Sequence, residues 1–303
     1  MSTLTQEKNV YQEGGTPVIL EDVSYQYSVG TPFEKTALDH INLRVRGGAI
    51  TGLIGHTGSG KSTLVQLLNG LLKPSSGIVR IGGRDIWEDP KKIQEIRFRV
   101  GLVFQYPEYQ LFEETVEKDI AYGPSNMGLD KEEIARRVRD AVMFCGLGTD
   151  VLDKSPFDLS GGQKRRAAIA GIIAMEPEVL ILDEPAAGLD PMGREEILGG
   201  VWSYQRRRQG TVIIVSHSME DMARYCDDII VMDHGRVFMQ GPAGEIFRHA
   251  DALTGVGLDI PQVTRVMKRL RAMGADVRED IFTVDAAREE LERFLSRKGG
   301  GRR

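Results

Sequence analysis

The sequence has little cysteine, no long apolar run and no segment that resembles an export signal. Two cysteines, Cys145 and Cys226, occur in 303 residues, and their isolation argues against a disulfide framework or a thiolate metal site. The longest apolar run, residues 167–175, is too short to span a bilayer. Residues 1–15 lack the apolar core of a signal peptide. These absences predict a cytosolic chain that does not itself cross a membrane.

Charge and length narrow the possible classes of protein further. A net charge of −5 favours partners other than nucleic acid. With 41% hydrophobic and 27% charged residues, the composition is that of an ordinary globular protein. A chain of 303 residues accommodates about two domains. We therefore expect one large domain with a substantial core and a smaller second unit.

Short apolar runs alternate with amphipathic helical stretches from residue 18 to residue 247, after a polar stretch, residues 1–17, that predicts a flexible tail. Near-continuous Val, Ile and Leu runs are typical of strands buried on both faces, so they predict a largely parallel sheet covered by helices. The runs cover residues 49–55, 100–105, 178–184, 210–216 and 227–233.

Three further segments depart from this rhythm. Residues 107–175 carry a mostly helical pattern and predict a helical subdomain. A later apolar stretch predicts a hairpin that turns at His234 and Gly235. Residues 248–303 predict a small appended domain of amphipathic helices with one short strand at 280–284, ending in a disordered basic tail.

The stretch GHTGSGKST, residues 55–63, fits a phosphate-binding pattern and is called the phosphate loop below. It follows a predicted strand and precedes a predicted helix, which is the context that the pattern requires. Its glycines let backbone N–H groups turn towards phosphate oxygens, and the helix N-terminus adds its positive end. Lys61 would reach the β- and γ-phosphates, and Ser62 would offer a hydroxyl to Mg²⁺.

An acidic pair follows the buried run EVLIL. Alone, Asp183 and Glu184 would be typical of an ordinary turn. After a phosphate loop, however, a carboxylate at the end of a strand indicates a magnesium ligand, and a second carboxylate can polarise an attacking water.

A third motif, LSGGQ at residues 159–163, is called the signature segment below. Alone it indicates only a helix cap with anion-binding character. The ordered set of GHTGSGKST, Gln105, LSGGQ, VLILDEP, AGLD and Ser216-His217 resembles the nucleotide-binding subunit of ABC transporters over residues 18–245. The resemblance implies an α/β P-loop NTPase fold with a mostly parallel core sheet, an N-terminal antiparallel β portion and a helical subdomain.

The resemblance also implies a role for each motif residue, with ATP and Mg²⁺ as ligands. Tyr27 would stack on adenine, with Phe33 or Tyr25 as alternatives. Residues expected to bind nucleotide from within the chain are Tyr27, Gly55, His56, Thr57, Gly58, Ser59, Gly60, Lys61, Ser62 and Thr63. Residues expected to face the ATP of a second subunit are Ser160, Gly161, Gly162 and Gln163, and Asp190, also in the nucleotide-binding set, is expected to cross the dimer interface. The expected metal ligands are Ser62, Gln105 and Asp183.

Four residues are expected to carry the hydrolysis itself. Glu184 would act as the catalytic base, and His217 would contact the γ-phosphate, while Lys61 and Gln105 complete the set. By pattern alone, a single histidine after a strand is more often structural, and only the ordered motifs favour a catalytic role. His56 lies within the phosphate loop without a separate chemical role.

Residues 103–116, VFQYPEYQLFEETV, are called the docking loop below. In ABC transporters this loop belongs to the cleft that receives a helix of the membrane subunit, which would explain its aromatic residues. Phe104 and Phe112 are expected to form the docking surface with Leu111, while Glu108, Glu113 and Glu114 meet basic residues of the partner. The alternative is that both phenylalanines belong to the core and only the tyrosines are exposed.

Finer features resemble energy-coupling factor transporters, prokaryotic importers of vitamins and transition-metal ions. The segments are TPFEKTAL, FQYPEYQLFEETVEKDIAYGP and VGLDIPQV, and they resemble the second of the two ATPase types of these systems. The resemblance implies a motor subunit at the cytoplasmic face of the membrane, a transmembrane coupling subunit docked near residues 105–115, and a separate substrate-capture subunit. The appended C-terminal domain would help to hold two ATPases together.

Several alternatives stay open from the sequence. A heterodimer with a second ATPase is favoured, with a homodimer as the alternative. The ATPase of a cobalt or nickel importer, or of a conventional ABC importer, is the nearest different function. A soluble ABC ATPase is disfavoured because no second cassette, coiled coil or zinc insert is present, and a regulatory module without turnover is disfavoured by Glu184 and His217.

Overall fold

A computed structural model describes residues 14–299 of the protein. Its main sheet has six strands in the order β10-β9-β3-β8-β7-β6, all parallel except the β9–β10 pair. A second sheet is antiparallel, with the order β2-β1-β4-β5. The strands are β1 (Val18–Tyr27), β2 (Lys35–Val45), β3 (Ile50–Gly55), β4 (Ser76–Ile81), β5 (Arg84–Asp85), β6 (Val100–Val103), β7 (Val179–Asp183), β8 (Thr211–Val215), β9 (Asp228–Asp233) and β10 (Arg236–Pro242).

Helices cover the main sheet and form the C-terminal extension. They are α1 (Lys61–Leu68), α2 (Ile93–Arg99), α3 (Val116–Asn126), α4 (Lys131–Phe144), α5 (Gly161–Ile173), α6 (Pro191–Arg208), α7 (Met219–Tyr225), α8 (Ala243–Arg248), α9 (Ala250–Gly255), α10 (Gln262–Ala272) and α11 (Val284–Gly299). Within residues 14–299, none of these helices is long and apolar enough to cross a membrane. The predicted α/β fold with a mostly parallel core sheet and an antiparallel N-terminal portion is confirmed.

Side chains of the parallel strands alternate between two apolar layers. Ile54 of β3 and Leu182 of β7 pack in the layer that contains helices of the segment after β6. Their neighbours Leu53 and Ile181 pack in the opposite layer, against the antiparallel sheet and α1. Since both faces are buried, near-continuous apolar runs are what these strands require.

The hairpin predicted at His234 and Gly235 is confirmed. Asp233 of β9 pairs with Arg236 of β10, so the turn contains two residues. His234 has a φ of 45° and Gly235 a φ of 76°, as a two-residue turn between right-twisted strands requires. This turn matters for the site described below because it reaches back to the phosphate loop.

The strand predicted at 280–284 is absent, and the described part of the C-terminal extension is helical. Side chains of α10 and α11 bond to the backbone of this region instead of a neighbouring strand. Thr264 Oγ1 donates to the carbonyl of Ile281 at 2.6 Å, and the N–H of Arg278 donates to Glu290 Oε1 at 2.8 Å. A small separate core around Met267 holds this extension together. The short apolar stretch therefore packs without forming a sheet.

The start of the described chain also differs from the predicted flexible tail. Thr16 Oγ1 donates to Glu178 Oε2 at 2.9 Å, and the carbonyl of Thr16 accepts from Thr211 Oγ1 at 2.6 Å. These bonds join residues just before β1 to the edge where β7 and β8 begin. Residues 1–13 of the predicted tail and the last residues of the predicted basic ending, 300–303, lie outside the described residues.

Candidate nucleotide and catalytic site

The carboxyl ends of β3, β7 and β8 open into one cleft of about 410 Å³. It brings together residues that the sequence places up to 190 positions apart: the phosphate loop, Tyr27, Gln105, Asp183, Glu184 and His217. Because parallel strands end at the same edge of a sheet, polar residues that follow different strands meet there. The cleft is therefore the candidate catalytic site, and we call it the catalytic cleft.

The phosphate loop is held in shape by its own backbone. Gly60, just before α1, has a φ of 104°, in a region that favours glycine. A Cβ at this position would lie 2.7 Å from the carbonyl oxygen of Ala37. Ser59 is fully buried, and its Oγ has no hydrogen-bond partner among the described residues. The left-handed φ of Gly60 and its close approach to Ala37 thus fix the course of the loop just before α1.

Lys61 lies almost fully buried at the first position of α1, with 7% of its surface exposed. Its Nζ donates to the carbonyl of Gly55 at 2.7 Å and to that of His56 at 3.0 Å. An ammonium has three N–H donors, so one remains for an anion. Burial lowers the pKa of Lys61, although Glu184 and Asp183 act in the opposite direction.

The two carboxylates at the end of β7 have different surroundings. Burial raises the pKa of Asp183, opposed by Lys61. Burial, together with the negative charge of Asp183, raises the pKa of Glu184 from 4.5 to about 7. Glu184 also has a φ of 51°, a left-handed conformation that costs energy in a residue with a side chain.

One carboxylate oxygen of Glu184 is free to bind another group. Its Oε1 is buried without a hydrogen-bond partner among the described residues, although His217 Nε2 lies 3.4 Å away. His217 follows β8, and burial, together with the charge of Lys61, lowers its pKa. The histidine is therefore neutral at pH 7 and can accept or donate a hydrogen bond beside a carboxyl that titrates near the same pH.

Tyr27 is the one of the three proposed adenine-stacking residues that lines the catalytic cleft. Its hydroxyl shares a hydrogen bond with Thr63 Oγ1 at 3.1 Å. Tyr25 packs on the core and meets the Tyr27 ring edge-on at 4.8 Å, whereas Phe33 is 83% exposed. The geometry favours Tyr27 over both alternatives.

The signature segment lies outside the catalytic cleft of its own chain. Ser160 caps α5: its hydroxyl accepts from the N–H of Gln163, and the Gln163 side chain accepts from the N–H of Ser160. A Cβ built on Gly161 or Gly162 would meet no atom within 4 Å. Packing within the chain therefore gives no reason for these two glycines.

Asp190 is also exposed and away from the cleft. It caps α6 by accepting from the N–H of Gly193 at 2.7 Å. The structure thus divides the predicted site residues into two sets. One set is assembled within the chain, and the other is presented on the surface.

An ion pair between α5 and the docking loop was not predicted from the sequence, and it gives Glu108 a different partner from the expected one. Arg165 of α5 is buried and makes two bonds to the Glu108 carboxylate, at 2.6 and 2.9 Å. It also donates to the carbonyl of Ala187. Glu108 was expected to meet basic residues of a partner, but its charge is already neutralised within the chain. The basic run after the signature segment was the only sequence signal for this contact.

The aromatic residues of the docking loop have different environments. Phe104 packs partly buried against the core, so the expectation that it forms the docking surface is wrong. Phe112 is 59% exposed and contacts the Tyr122 ring edge-on at 5.0 Å, while Tyr109 is also exposed. Phe112 and Leu111 line a groove of about 380 Å³ between the docking loop, α3 and α5, which we call the docking groove.

Comparisons with known proteins agree with these motifs. The profile of the family described as ABC transporter matches residues 38–187. The chain is 55% identical to the energy-coupling factor transporter ATP-binding protein EcfA2 of Clostridium acetobutylicum, over 92% of this chain and 98% of that protein. It is 53% identical to the protein of the same name from Acetivibrio thermocellus, over 90% of this chain and 96% of that protein.

Two solved structures give the same result. The cbiO1 protein of Clostridium perfringens, part of the ABC transporter complex cbiONQ, is 41% identical with a TM-score of 0.71, over 83% of this chain and 98% of that one. The cassette MJ0796, solved as a dimer bound to ADP and Pi, is 28% identical with a TM-score of 0.67, over 75% of this chain and 98% of that one. The chain belongs to the ABC transporter ATPases, as an ATP-hydrolysing, ATP-binding subunit of the energy-coupling factor transporter family.

Proposed function

We propose that this chain is the motor subunit of an importer for vitamins or related micronutrients, and that it hydrolyses ATP in the catalytic cleft with Glu184 as the base. The observation that carries the proposal is the buried, unpartnered Oε1 of Glu184 beside Lys61 and the phosphate loop. A carboxyl that titrates near pH 7 is suited to take a proton from water at neutral pH.

The other residues of the cleft act by position and charge. Lys61 would place its remaining N–H on the γ-phosphate, and the backbone of the phosphate loop would hold the phosphate chain. Neutral His217, 3.4 Å from Glu184, would orient the attacking water or the γ-phosphate. Phosphoryl transfer to water depends mainly on such positioning and charge stabilisation.

The donor set also fits a magnesium ion. Ser62, Gln105 and Asp183 all line the cleft and offer oxygen ligands, which Mg²⁺ prefers. When bound with the nucleotide, the ion would neutralise charge on the phosphate oxygens. Tyr27 would stack on the adenine, where its hydroxyl bond to Thr63 fixes the ring.

The signature segment supports a dimer of ATPase subunits. Its glycines leave open space beside the N-terminus of α5, and a helix N-terminus with small residues accommodates a phosphate. We propose that this space receives the ATP held by the partner subunit, with Asp190 near the same interface. We propose a heterodimer with a second, similar ATPase, with a homodimer as the alternative.

The docking groove supports a membrane partner. It is lined mainly by apolar groups such as Leu111, Phe112 and Tyr122, with Glu113 on the adjoining loop, whereas Glu114 is already paired with Lys118 of α3. An amphipathic helix with basic flanks would bury these apolar groups and meet Glu113. We propose that a transmembrane coupling subunit docks here, which would place the chain at the cytoplasmic face of the membrane.

Affinity purification from native membranes in mild detergent tests this proposal. We expect the tagged chain to bring down a second ATPase and a small multi-span protein. The double variant Tyr109→Ser, Phe112→Ser should lose the multi-span protein and keep the second ATPase. Met143→Ser, which changes an exposed apolar residue of α4, is the matched control and should keep both. Recovery of ribosomal or DNA-bound proteins without a membrane partner would refute the transport role.

A further inference from the structure

Three side chains beside the phosphate loop converge on one point. His56 Nε2 lies 3.0 Å from Asp233 Oδ1, and His234 Nδ1 lies 2.7 Å from the same oxygen. The three ligand atoms lie within 4.8 Å of one another, the one such group of three His, Cys, Asp or Glu side chains within residues 14–299. His56 belongs to the phosphate loop, whereas the other two belong to the β9–β10 turn.

The hydrogen bonds of His56 indicate what this point can bind. Its Nδ1 lies 2.8 Å from the carbonyl oxygen of Thr57, which can only accept, so Nδ1 carries the proton of a neutral ring. The lone pair of Nε2 then faces the carboxylate of Asp233, which is also an acceptor. Two acceptors at this distance require a cation between them or a second proton. Metal-binding histidines typically donate their other ring N–H to a carbonyl in this way.

The turn holds its two ligands in place. His234 occupies a left-handed position, with a φ of 45°, where Asn, Asp or Gly is the usual residue. The N–H of Gly235 donates to the carbonyl of Ser59 at 3.0 Å, which ties the turn to the phosphate loop. The three side chains are therefore positioned by backbone contacts that do not involve a ligand.

We propose that His56, Asp233 and His234 bind a divalent transition-metal ion of the Zn²⁺ class. Two imidazoles and one carboxylate suit zinc, with water completing a four-coordinate site. Magnesium is disfavoured because it prefers oxygen ligands. The site is separate from the proposed magnesium ligands Ser62, Gln105 and Asp183.

The position of the site links it to nucleotide binding. The carbonyl of His56 accepts from Lys61 Nζ, and it also accepts from the N–H of Ser59. A metal ion on the His56 ring would fix the loop that anchors Lys61. Zinc and nucleotide should therefore change each other's affinity by the same factor.

Zinc titration against a chromogenic chelator tests the proposal, using the full chain without nucleotide and with any affinity tag removed. We expect one equivalent to bind to the wild type. His234→Asn keeps a residue that tolerates the left-handed turn and removes the imidazole, so zinc should bind at least about tenfold more weakly. Asp233→Asn should have a similar effect.

Two matched variants separate this site from other histidines. His249→Ala changes an exposed histidine elsewhere, and His217→Ala changes the histidine beside Glu184. Both should keep the zinc equivalent. Loss of zinc in His217→Ala, or equal binding by wild type and His234→Asn, would overturn the proposal and indicate adventitious binding.

A second set of measurements tests the zinc site even if a variant folds poorly. Zinc should raise the melting temperature of the wild type by mass action, and at the same zinc concentration it should raise that of His234→Asn clearly less. Cobalt bound to the wild type should give the intense visible absorption of a four-coordinate site. A weak spectrum of six-coordinate cobalt, with no change in melting temperature on addition of zinc, would overturn the proposal without any variant.

Discussion

The catalytic cleft and the signature segment contain the two halves of the predicted site, but they are built in different ways. In the cleft, buried strands end together, Lys61 is enclosed by loop carbonyls, and Glu184 is held in a strained conformation. In the signature segment, a capping box fixes the start of α5, and beyond it Gly161 and Gly162 face open space.

The comparison distinguishes residues whose type is explained by contacts within one chain from residues whose type is explained only by a partner. Side chains in the cleft have contacts within the chain that explain their type. Glycines of the signature segment have none, so their type is explained only by a group from outside the chain. Arg165 links α5, which begins in the signature segment, to Glu108 of the docking loop and to the carbonyl of Ala187, three residues after Glu184.

Glu184→Gln should remove most of the hydrolytic activity of the catalytic cleft and leave the signature segment unchanged. Glutamine keeps the shape of the side chain but cannot take a proton, so hydrolysis should fall by about 10²- to 10⁴-fold. Steady-state phosphate release by the assembled transporter measures this effect.

Binding supplies the control for this variant. ATP affinity should stay within about threefold of the wild type, because the base contributes little to ground-state binding. Nearly unchanged hydrolysis in Glu184→Gln would place the base elsewhere in the cleft.

Arg165→Ala should break the link between α5 and the docking loop. It leaves the partly buried carboxylate of Glu108 without its partner, which costs about 3–5 kcal/mol in comparable buried pairs. Urea unfolding of the isolated chain measures the loss. The double variant Arg165→Met, Glu108→Met should recover most of the stability, since an apolar pair replaces the ions. A loss below about 1 kcal/mol in Arg165→Ala would mean that the pair behaves as an exposed one.

A pair of glycine substitutions should sharpen the contrast. Gly60→Ala places a methyl group 2.7 Å from the carbonyl of Ala37 at a φ of 104°, and such strain should cost about 1–3 kcal/mol of folding stability. Gly162→Ala meets no atom of the chain, so stability should be unchanged or rise by up to about 1 kcal/mol from helix propensity.

Gly162→Ala should lose ATP hydrolysis although it keeps its folding stability. Its methyl group would occupy space proposed for the partner's ATP, and hydrolysis should fall on the order of 10- to 100-fold despite the intact fold. Thermal melts and phosphate release on the same samples measure both effects. A stable, fully active Gly162→Ala would exclude this space as a phosphate site.

The sequence predicted features whose cause is local. The apolar runs of the parallel strands, the phosphate loop and the turn at His234 each follow from a few consecutive residues. Features that depend on distant residues were missed. Glu108 and Arg165 are 57 positions apart, and no local pattern indicates that they pair.

The predicted strand at 280–284 and the placement of Phe104 fail for a related reason. A short apolar stretch fits a strand or a packed loop equally well, and only the contacts of Thr264 and its neighbours decide. Phe104 shares its composition with the exposed aromatics of the docking loop, yet it directly follows β6 and packs on the core. The left-handed conformation of Glu184 likewise has no signal in its residue type.

The last prediction concerns the folding stability that is lost when the buried carboxyl of Glu184 ionises. The pKa of Glu184 is raised in the fold from 4.5 to about 7, so protonation favours the folded state. This contribution is complete below pH 4.5 and is lost as the pH rises through about 7. Glutamine stays neutral throughout, and therefore Glu184→Gln should be more stable than the wild type at pH 8, by about 1–2 kcal/mol after allowance for solvent screening.

Below pH 4.5 the difference should vanish, because both side chains are then neutral in the folded and the unfolded chain. Melting curves of the nucleotide-free chains across this pH range measure it, with Gly162→Ala as a control whose difference from wild type should not depend on pH. A pH-independent difference for Glu184→Gln would show that the carboxyl is not destabilised by its surroundings. A difference that grows with pH would show that the cleft keeps its base in a less stable ionised form, which is the form that takes a proton from water.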